Sequence, residues 1–219
     1  MTITVDDAGS GDLLHGVVIG AYRDETKEFT YDLIDVKYFQ PDLFRTKEYL
    51  TQTSKIVSNL LSKLKPNPDE EILLCQGYIF DEAVEELRKI YGENRVRRIR
   101  VVGEPQRLVE IAYLDEVRNL GYEPLEERDE KRAKSFFHMM RWLKANPPML
   151  RYAKTGWPRL VRYRMFQPFL PNGNGEERKR QSFAGVCAAC GKECTVPFKP
   201  AKNRSVYCKA CWATRKPQR

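Results

Sequence analysis

Hydrophobic positions in the first forty residues come as short runs divided by polar turns. Thr2 to Val5 is a β-branched run that stops at Asp6-Asp7 and a glycine-rich turn, Ala8-Gly9-Ser10-Gly11. Leu14 to Tyr22 and Phe29 to Phe39 are the next apolar runs, with polar residues from Arg23 to Lys27 between them. Adjacent runs joined by short polar turns predict an antiparallel meander. The period then lengthens. From Thr46 to Leu64 the apolar residues Tyr49, Leu50, Ile56, Val57, Leu60, Leu61 and Leu64 recur on one helical face, and Pro66-Asn67-Pro68 ends the run. Glu71 to Phe80 predicts a buried strand, and Asp81 the N-cap of a helix closed by Gly92. Val96 to Val102 predicts a further strand, basic on one side through Arg97, Arg98 and Arg100, and Gln106 to Leu120 a helix closed by Gly121. A meander followed by alternating helix and strand predicts an α/β domain with a mixed sheet.

Beyond residue 130 the pattern changes. Lysine and arginine interleave with Phe, Trp and Tyr from Lys131 to Phe166, a helix is predicted as far as Ala145, and Pro147-Pro148 breaks it. Pro171 to Lys179 (PNGNGEERK) reads as a flexible linker. The expected organisation is an α/β domain at 1–130, a basic aromatic extension and linker at 131–180, and a small cysteine module at 181–219.

Charge sharpens this division. The 219 residues carry a net +8, yet residues 1–130 hold 17 basic and 27 acidic side chains whereas residues 131–219 hold 21 and 3. The basic part is built to attract a polyanion, with counterion release as the driving force. Arg141, Lys144, Arg151, Lys154, Trp157, Arg159, Arg162, Tyr163 and Arg164 are the candidate contacts, cations for phosphates and rings for bases. Phe136, Phe137, Met140 and Leu143 fit core positions better. At 42% hydrophobic and 31% charged the composition is globular, which excludes a collagen-like or wholly disordered chain. No apolar run approaches the ~18 residues of a membrane span, and the start MTITVDDAGSGD lacks the pattern of a secretion signal. A cytoplasmic protein with no membrane partner is expected.

The strongest spacing signal is in the cysteines. Cys187-x2-Cys190 is followed by Cys208-x2-Cys211, two thiolate pairs that suit one tetrahedral zinc ion. So short a module cannot bury a useful core, and the metal supplies its folding free energy. Disulfides are the alternative, which an intracellular setting disfavours. Cys194 is surplus to the doubled pair, and Cys75 reads as a small buried hydrophobe. His15 and His138 read as structural or surface residues. The stretch CAACGKECTVPFKPAKNRSVYCKACWATRK resembles a zinc-ribbon-like module of the kind appended to nucleic-acid-related proteins. The resemblance covers 187 to about 216 and implies a structural zinc.

The order strand, strand, strand, helix, strand, helix, strand, helix resembles the ribonuclease H-like fold, and VDDAGSG is similar to the acidic opening of type 2 ribonucleases H. That resemblance implies carboxylates converging on one or two Mg²⁺ or Mn²⁺ ions to hydrolyse a phosphodiester. Asp6 and Asp7 match its first acidic position, Glu48 its helix position, and Glu110 (or Glu104 or Asp115) its last. Gln76 stands where an acid belongs at the end of the fourth strand, and Asp81 lies five residues on. No phosphate-binding P-loop, GxSxG or HExxH motif competes. The expected function is nucleic-acid binding, on RNA or DNA, with metal-dependent nuclease activity. The alternatives are a non-catalytic factor binding nucleic acid or a ribonucleoprotein such as the ribosome, and a zinc-module adaptor for a protein partner.

Overall fold

The computed structural model describes residues 1–126, 132–169, 183–196, 205–208 and 210–211. Two compact units divide the chain, Met1–Pro171 and Asn172–Arg219. The predicted linker at 171–179 lies outside the described residues.

In the first unit the meander is β1 (Thr2–Ala8), β2 (Val17–Arg23) and β3 (Phe29–Ile34). A short helix α1 (Pro41–Arg45) leads to α2 (Glu48–Leu64), then β4 (Glu71–Cys75), α3 (Asp81–Tyr91), β5 (Val96–Ile99) and α4 (Glu104–Asn119). The five strands lie in the order β3-β2-β1-β4-β5. β1 runs antiparallel to β2 and parallel to β4, and β4 runs parallel to β5. The sheet is therefore mixed, as the element order predicts.

Both faces of the sheet are covered, which explains why β2 (VVIGAYR) reads as an unbroken apolar run rather than an alternating one. On one face Ile3, Val5, Ile19, Ile72 and Leu74 pack with Val57, Leu60 and Leu61 of α2 and Ala83 and Leu87 of α3. On the other, Ala8 and Val18 meet Val109, Ala112, Tyr113 and Val117 of α4. The strand predicted over 71–80 ends at Cys75, because residues 78–80 turn into a 3-10 helix. Asp81 is the first residue of α3 rather than its cap; its carboxylate takes Arg98 instead, at 2.6 Å.

The segment after residue 130 folds into this unit. α5 (Arg132–Ala145) and three 3-10 turns, Pro147–Tyr152, Pro158–Arg162 and Arg164–Phe169, follow in succession. Met139, Leu143, Ala153, Leu160 and Phe166 complete the core beneath α4. The expected extension is thus a layer of the first unit, because its apolar residues supply one side of that unit's second core. In the second unit β6 (Phe183–Val186) and β7 (Glu193–Val196) form an antiparallel hairpin. Among the described residues no helix is long and apolar enough to cross a membrane.

Candidate acidic site and zinc centre

The acidic site stands where β1 outruns β4. The last parallel pair is Val5 with Leu74, so Asp6 and Asp7 come at the carboxyl end of β1, beside Cys75. In open sheets this end of the strands is where ligands bind. One ligand atom from each of Asp6, Asp7 and Cys75 falls within 4.8 Å of the other two. Asp6 is buried and Asp7 partly so.

Burial dominates the electrostatics here. It raises the pKa of Asp6, which the Cys75 thiol partly offsets by donating a hydrogen bond. Asp7 is pushed up to about 6 by desolvation, held back by a hydrogen bond from Ser10, raised again by the Asp6 charge and lowered by Lys154. Cys75 is pushed up to about 12, by burial first and then by the two carboxylates, so it stands as a neutral thiol.

Lys154 underlies the turn that follows β1. It is fully buried, and its ammonium donates to the Gly9 carbonyl oxygen. The ring centroids of Phe39 and Trp157 lie 4.9 and 5.9 Å from its Nζ. Gly9 has φ +86°, and a Cβ there would run into the Tyr113 ring, so the turn requires glycine.

The remaining predicted acids are placed elsewhere. Glu48 opens α2, accepts from Gln52 Nε2 at 3.3 Å, and lies outside the cluster. Its neighbour Tyr49 is the residue that reaches toward the site, ring edge against Tyr78 at 6.2 Å. Glu110 is half-buried on α4 and also outside the cluster, as are Glu104, paired with Arg107, and Asp115, paired with Arg118. Gln76 is exposed and Cys75 takes the inward position at the end of β4. Sequence reasoning missed Cys75 because an apolar strand is the ordinary place for a cysteine; its position directly before the predicted acidic position was the available signal. The two carboxylates are the only donors of the cluster suited to a hard cation, since the neutral Cys75 thiol is a poor ligand for one, and a pair of cations at ~3.5–4 Å needs more carboxylates than converge here.

The basic residues divide by burial. Arg141, Lys144, Arg151, Arg159, Arg162 and Arg164 are exposed and available to a polyanion. Lys154 and Trp157 are not on that surface, because Lys154 is consumed by the Gly9 turn and Trp157 is 9% exposed. Tyr163 is half-buried against the second core. His15 is buried, 3.5 Å from Glu116, and burial lowers its pKa; His138 Nδ1 meets the Tyr122 hydroxyl at 2.8 Å. Both histidines are structural.

In the second unit one sulfur from each of Cys187, Cys190, Cys208 and Cys211 lies within 4.8 Å of the others. Cys190 Sγ and Cys208 Sγ are 3.9 Å apart, matching the ~3.8 Å edge of a tetrahedron built on Zn–S bonds of ~2.3 Å. Cys187 and Cys190 occupy the hairpin turn, where Gly191 at φ +69° donates its N–H to the Cys187 carbonyl at 2.8 Å. Ala188 N–H bonds the Val206 carbonyl at 2.7 Å and so ties the turn to the segment that leads to Cys208. A backbone N–H from Cys208 brings the Cys187 thiol down to about 6. Cys194 is on β7 and outside the four-sulfur cluster. Four sulfurs fill the coordination shell, so this is a structural zinc centre and the unit a zinc-binding module.

Residues 180–216 match the family model described as a probable treble clef zinc finger. Within that span Ala210 and Cys211 are helical. No curated protein and no solved structure matches the chain.

Proposed function

We propose that this protein binds nucleic acid and hydrolyses its phosphodiester backbone at Asp6 and Asp7, aided by a single Mg²⁺ or Mn²⁺ ion. The observation that carries the reading is the convergence of two adjacent carboxylates within 4.8 Å at the carboxyl end of β1. The strand order β3-β2-β1-β4-β5, with β2 antiparallel to its neighbours, supports a ribonuclease H-like architecture for the first unit. The exposed arginines of residues 141–164 supply a surface for phosphates, and the zinc finger, a module often used on nucleic acids, is a second candidate contact.

Asp6 and Asp7 would hold the cation, which when bound would supply charge neutralisation at the scissile phosphate and activation of water. The chain's own residues set the conditions. Asp7, whose pKa lies at about 6, is ionised at neutral pH and able to ligate. The Ser10 hydroxyl fixes its carboxylate, and Lys154 fixes the Gly9 turn beside it. The exposed arginines hold the strand through its backbone.

A second reading, binding without cleavage, is favoured by Gln76 and by the positions of Glu48 and Glu110 outside the cluster. One assay separates the two: zinc-loaded protein with end-labelled single-stranded RNA, duplex DNA and RNA–DNA hybrid, each with Mg²⁺ or Mn²⁺. Metal-dependent cutting that disappears in Asp6→Asn/Asp7→Asn is the expected result. A retarded but intact substrate would establish the second reading.

A further inference from the structure

A groove of about 340 Å³ adjoins the acidic site, lined by Ser10, Gly11, Phe44, Tyr78, Trp157 and Arg159 with Pro158 at its edge. Its size is at the lower end of the ~300–1,000 Å³ typical of small-ligand sites. Two of its walls lead directly to Asp7. Ser10 hydrogen-bonds the Asp7 carboxylate, and Tyr78 follows Gly77, whose Cβ position lies 3.2 Å from Asp7 Oδ1.

Of the three lining rings Tyr78 is presented to solvent, whereas Phe44 is half-buried and Trp157 buried. Tyr78 is 56% exposed, more than the other exposed rings of the unit, Tyr31 at 42% and Phe137 at 49%. Its orientation is nevertheless fixed by edge contact with Tyr49, itself stacked on Phe39 and Phe44 at 5.4 and 5.3 Å. On the opposite side the Arg159 guanidinium lies 4.3 Å from the Trp157 ring centroid and 5.3 Å from that of Phe136. These cation–π contacts hold a planar cation in the groove's lining, and among the described residues no carboxylate pairs with it. Gly156 makes the junction possible, since a Cβ there would come within 2.8 Å of the Phe39 carbonyl oxygen.

We infer that this groove is a subsite for one unpaired nucleobase, stacked on Tyr78, with the adjoining phosphate on Arg159. Base pairs cannot offer a free π-face to a pocket of this size, whereas a single strand offers one at every nucleotide. The subsite therefore selects single-stranded or locally opened nucleic acid and seats its backbone beside Asp7. The inference rests on the nucleic-acid reading above, and its test needs no cleavage and no added divalent metal.

The test is fluorescence anisotropy of the full-length zinc-loaded protein with a labelled ten-nucleotide single strand and, separately, with the matching duplex. Tyr78→Leu keeps apolar volume and removes the ring; Tyr78→Phe keeps the ring. Tyr78→Leu is expected to weaken single-strand binding about tenfold and leave duplex binding unchanged, with Tyr78→Phe near wild type. Arg159→Ala is expected to weaken the single strand as well and to flatten its salt dependence. Wild-type single-strand affinity in Tyr78→Leu, or an equal loss on both nucleic acids, overturns the subsite and leaves the binding function standing. No binding to either probe overturns both. Because Tyr78 is largely exposed, its replacements should melt with the wild type, which a thermal scan verifies.

Discussion

Asp7 is where one residue's chemistry reaches furthest. Its folded pKa of about 6 exceeds the usual carboxylate value, so the folded state holds a proton that the unfolded chain releases first. Stability is therefore greatest below about pH 4 with respect to this group, and is lost as pH rises toward 6. Asp7→Asn removes the penalty. It should stabilise the protein by about 3 kcal/mol at pH 8, a gain that all but vanishes near pH 4, as read from urea unfolding at both pH values. The same substitution should abolish cation-dependent cleavage, a separation of stability from activity that a purely structural aspartate would not show. Lys154 acts in the opposite direction: its charge lowers the pKa of Asp7. Lys154→Met should raise the Asp7 pKa further, measurable by carbon-13 titration of the aspartate carboxyl, and should destabilise by removing the buried ammonium's hydrogen bond to the Gly9 carbonyl, which then keeps only the Asp12 N–H at 3.0 Å.

Between elements, two buried joints hold the first unit in register. Arg23 at the end of β2 reaches under the loop that links α2 to β4. Its Nε lies 2.8 Å from Glu70 Oε1, and its Nη2 donates to the Leu64 carbonyl at 2.5 Å. Glu70 is 1% exposed and also accepts from Asn67 N–H at 2.7 Å. Removing one partner of such a pair leaves a buried charge. Arg23→Met, which strands the buried Glu70 carboxylate, should cost about 3–5 kcal/mol, and the Arg23→Met/Glu70→Leu double variant markedly less, by denaturant unfolding; Glu70→Ala is milder because Arg23 keeps Glu28 at 2.7 Å. The second joint is between α4 and the sheet. Gly20 lies against Val109, and a Cβ there would clash with that side chain and with the Phe29 ring. Gly20→Ala should lower stability by about 1–3 kcal/mol by lifting α4 from β2. This contact was invisible in the sequence, where Gly20 is one small residue in a hydrophobic run.

For the whole molecule, two units with different sources of stability predict two different responses to chelation. The first has its own apolar cores on both faces of a five-stranded sheet. The second has a two-stranded hairpin and four cysteines, and a zinc site of this kind supplies on the order of 10 kcal/mol to folding. Excess chelator, or Cys208→Ser, should collapse the amide dispersion of residues 183–211 in nitrogen–proton spectra while the resonances of residues 1–126 keep their positions. Loss of dispersion throughout the chain would show that the metal also sustains the first unit.

What the sequence by itself determined is whatever depends on local spacing. The 3.6-residue and short-run periods predict the helices and strands of the first unit closely, because burial of one side of each element is written in consecutive residues. The doubled CxxC fixes the zinc ligands because each pair is a single turn and the metal admits four sulfurs. Tertiary structure decided what depends on distant residues meeting. It put Cys75 rather than Gln76 beside the aspartates, and Glu48 and Glu110 outside their cluster, since a one-residue step along a strand or helix redirects the side chain. It also drew Lys154 beneath the Gly9 turn, more than a hundred residues away, so that a lysine in a basic run became a buried support of the acidic site. Spacing reports which face a residue occupies within its own element; only the packing of elements decides which faces share a site.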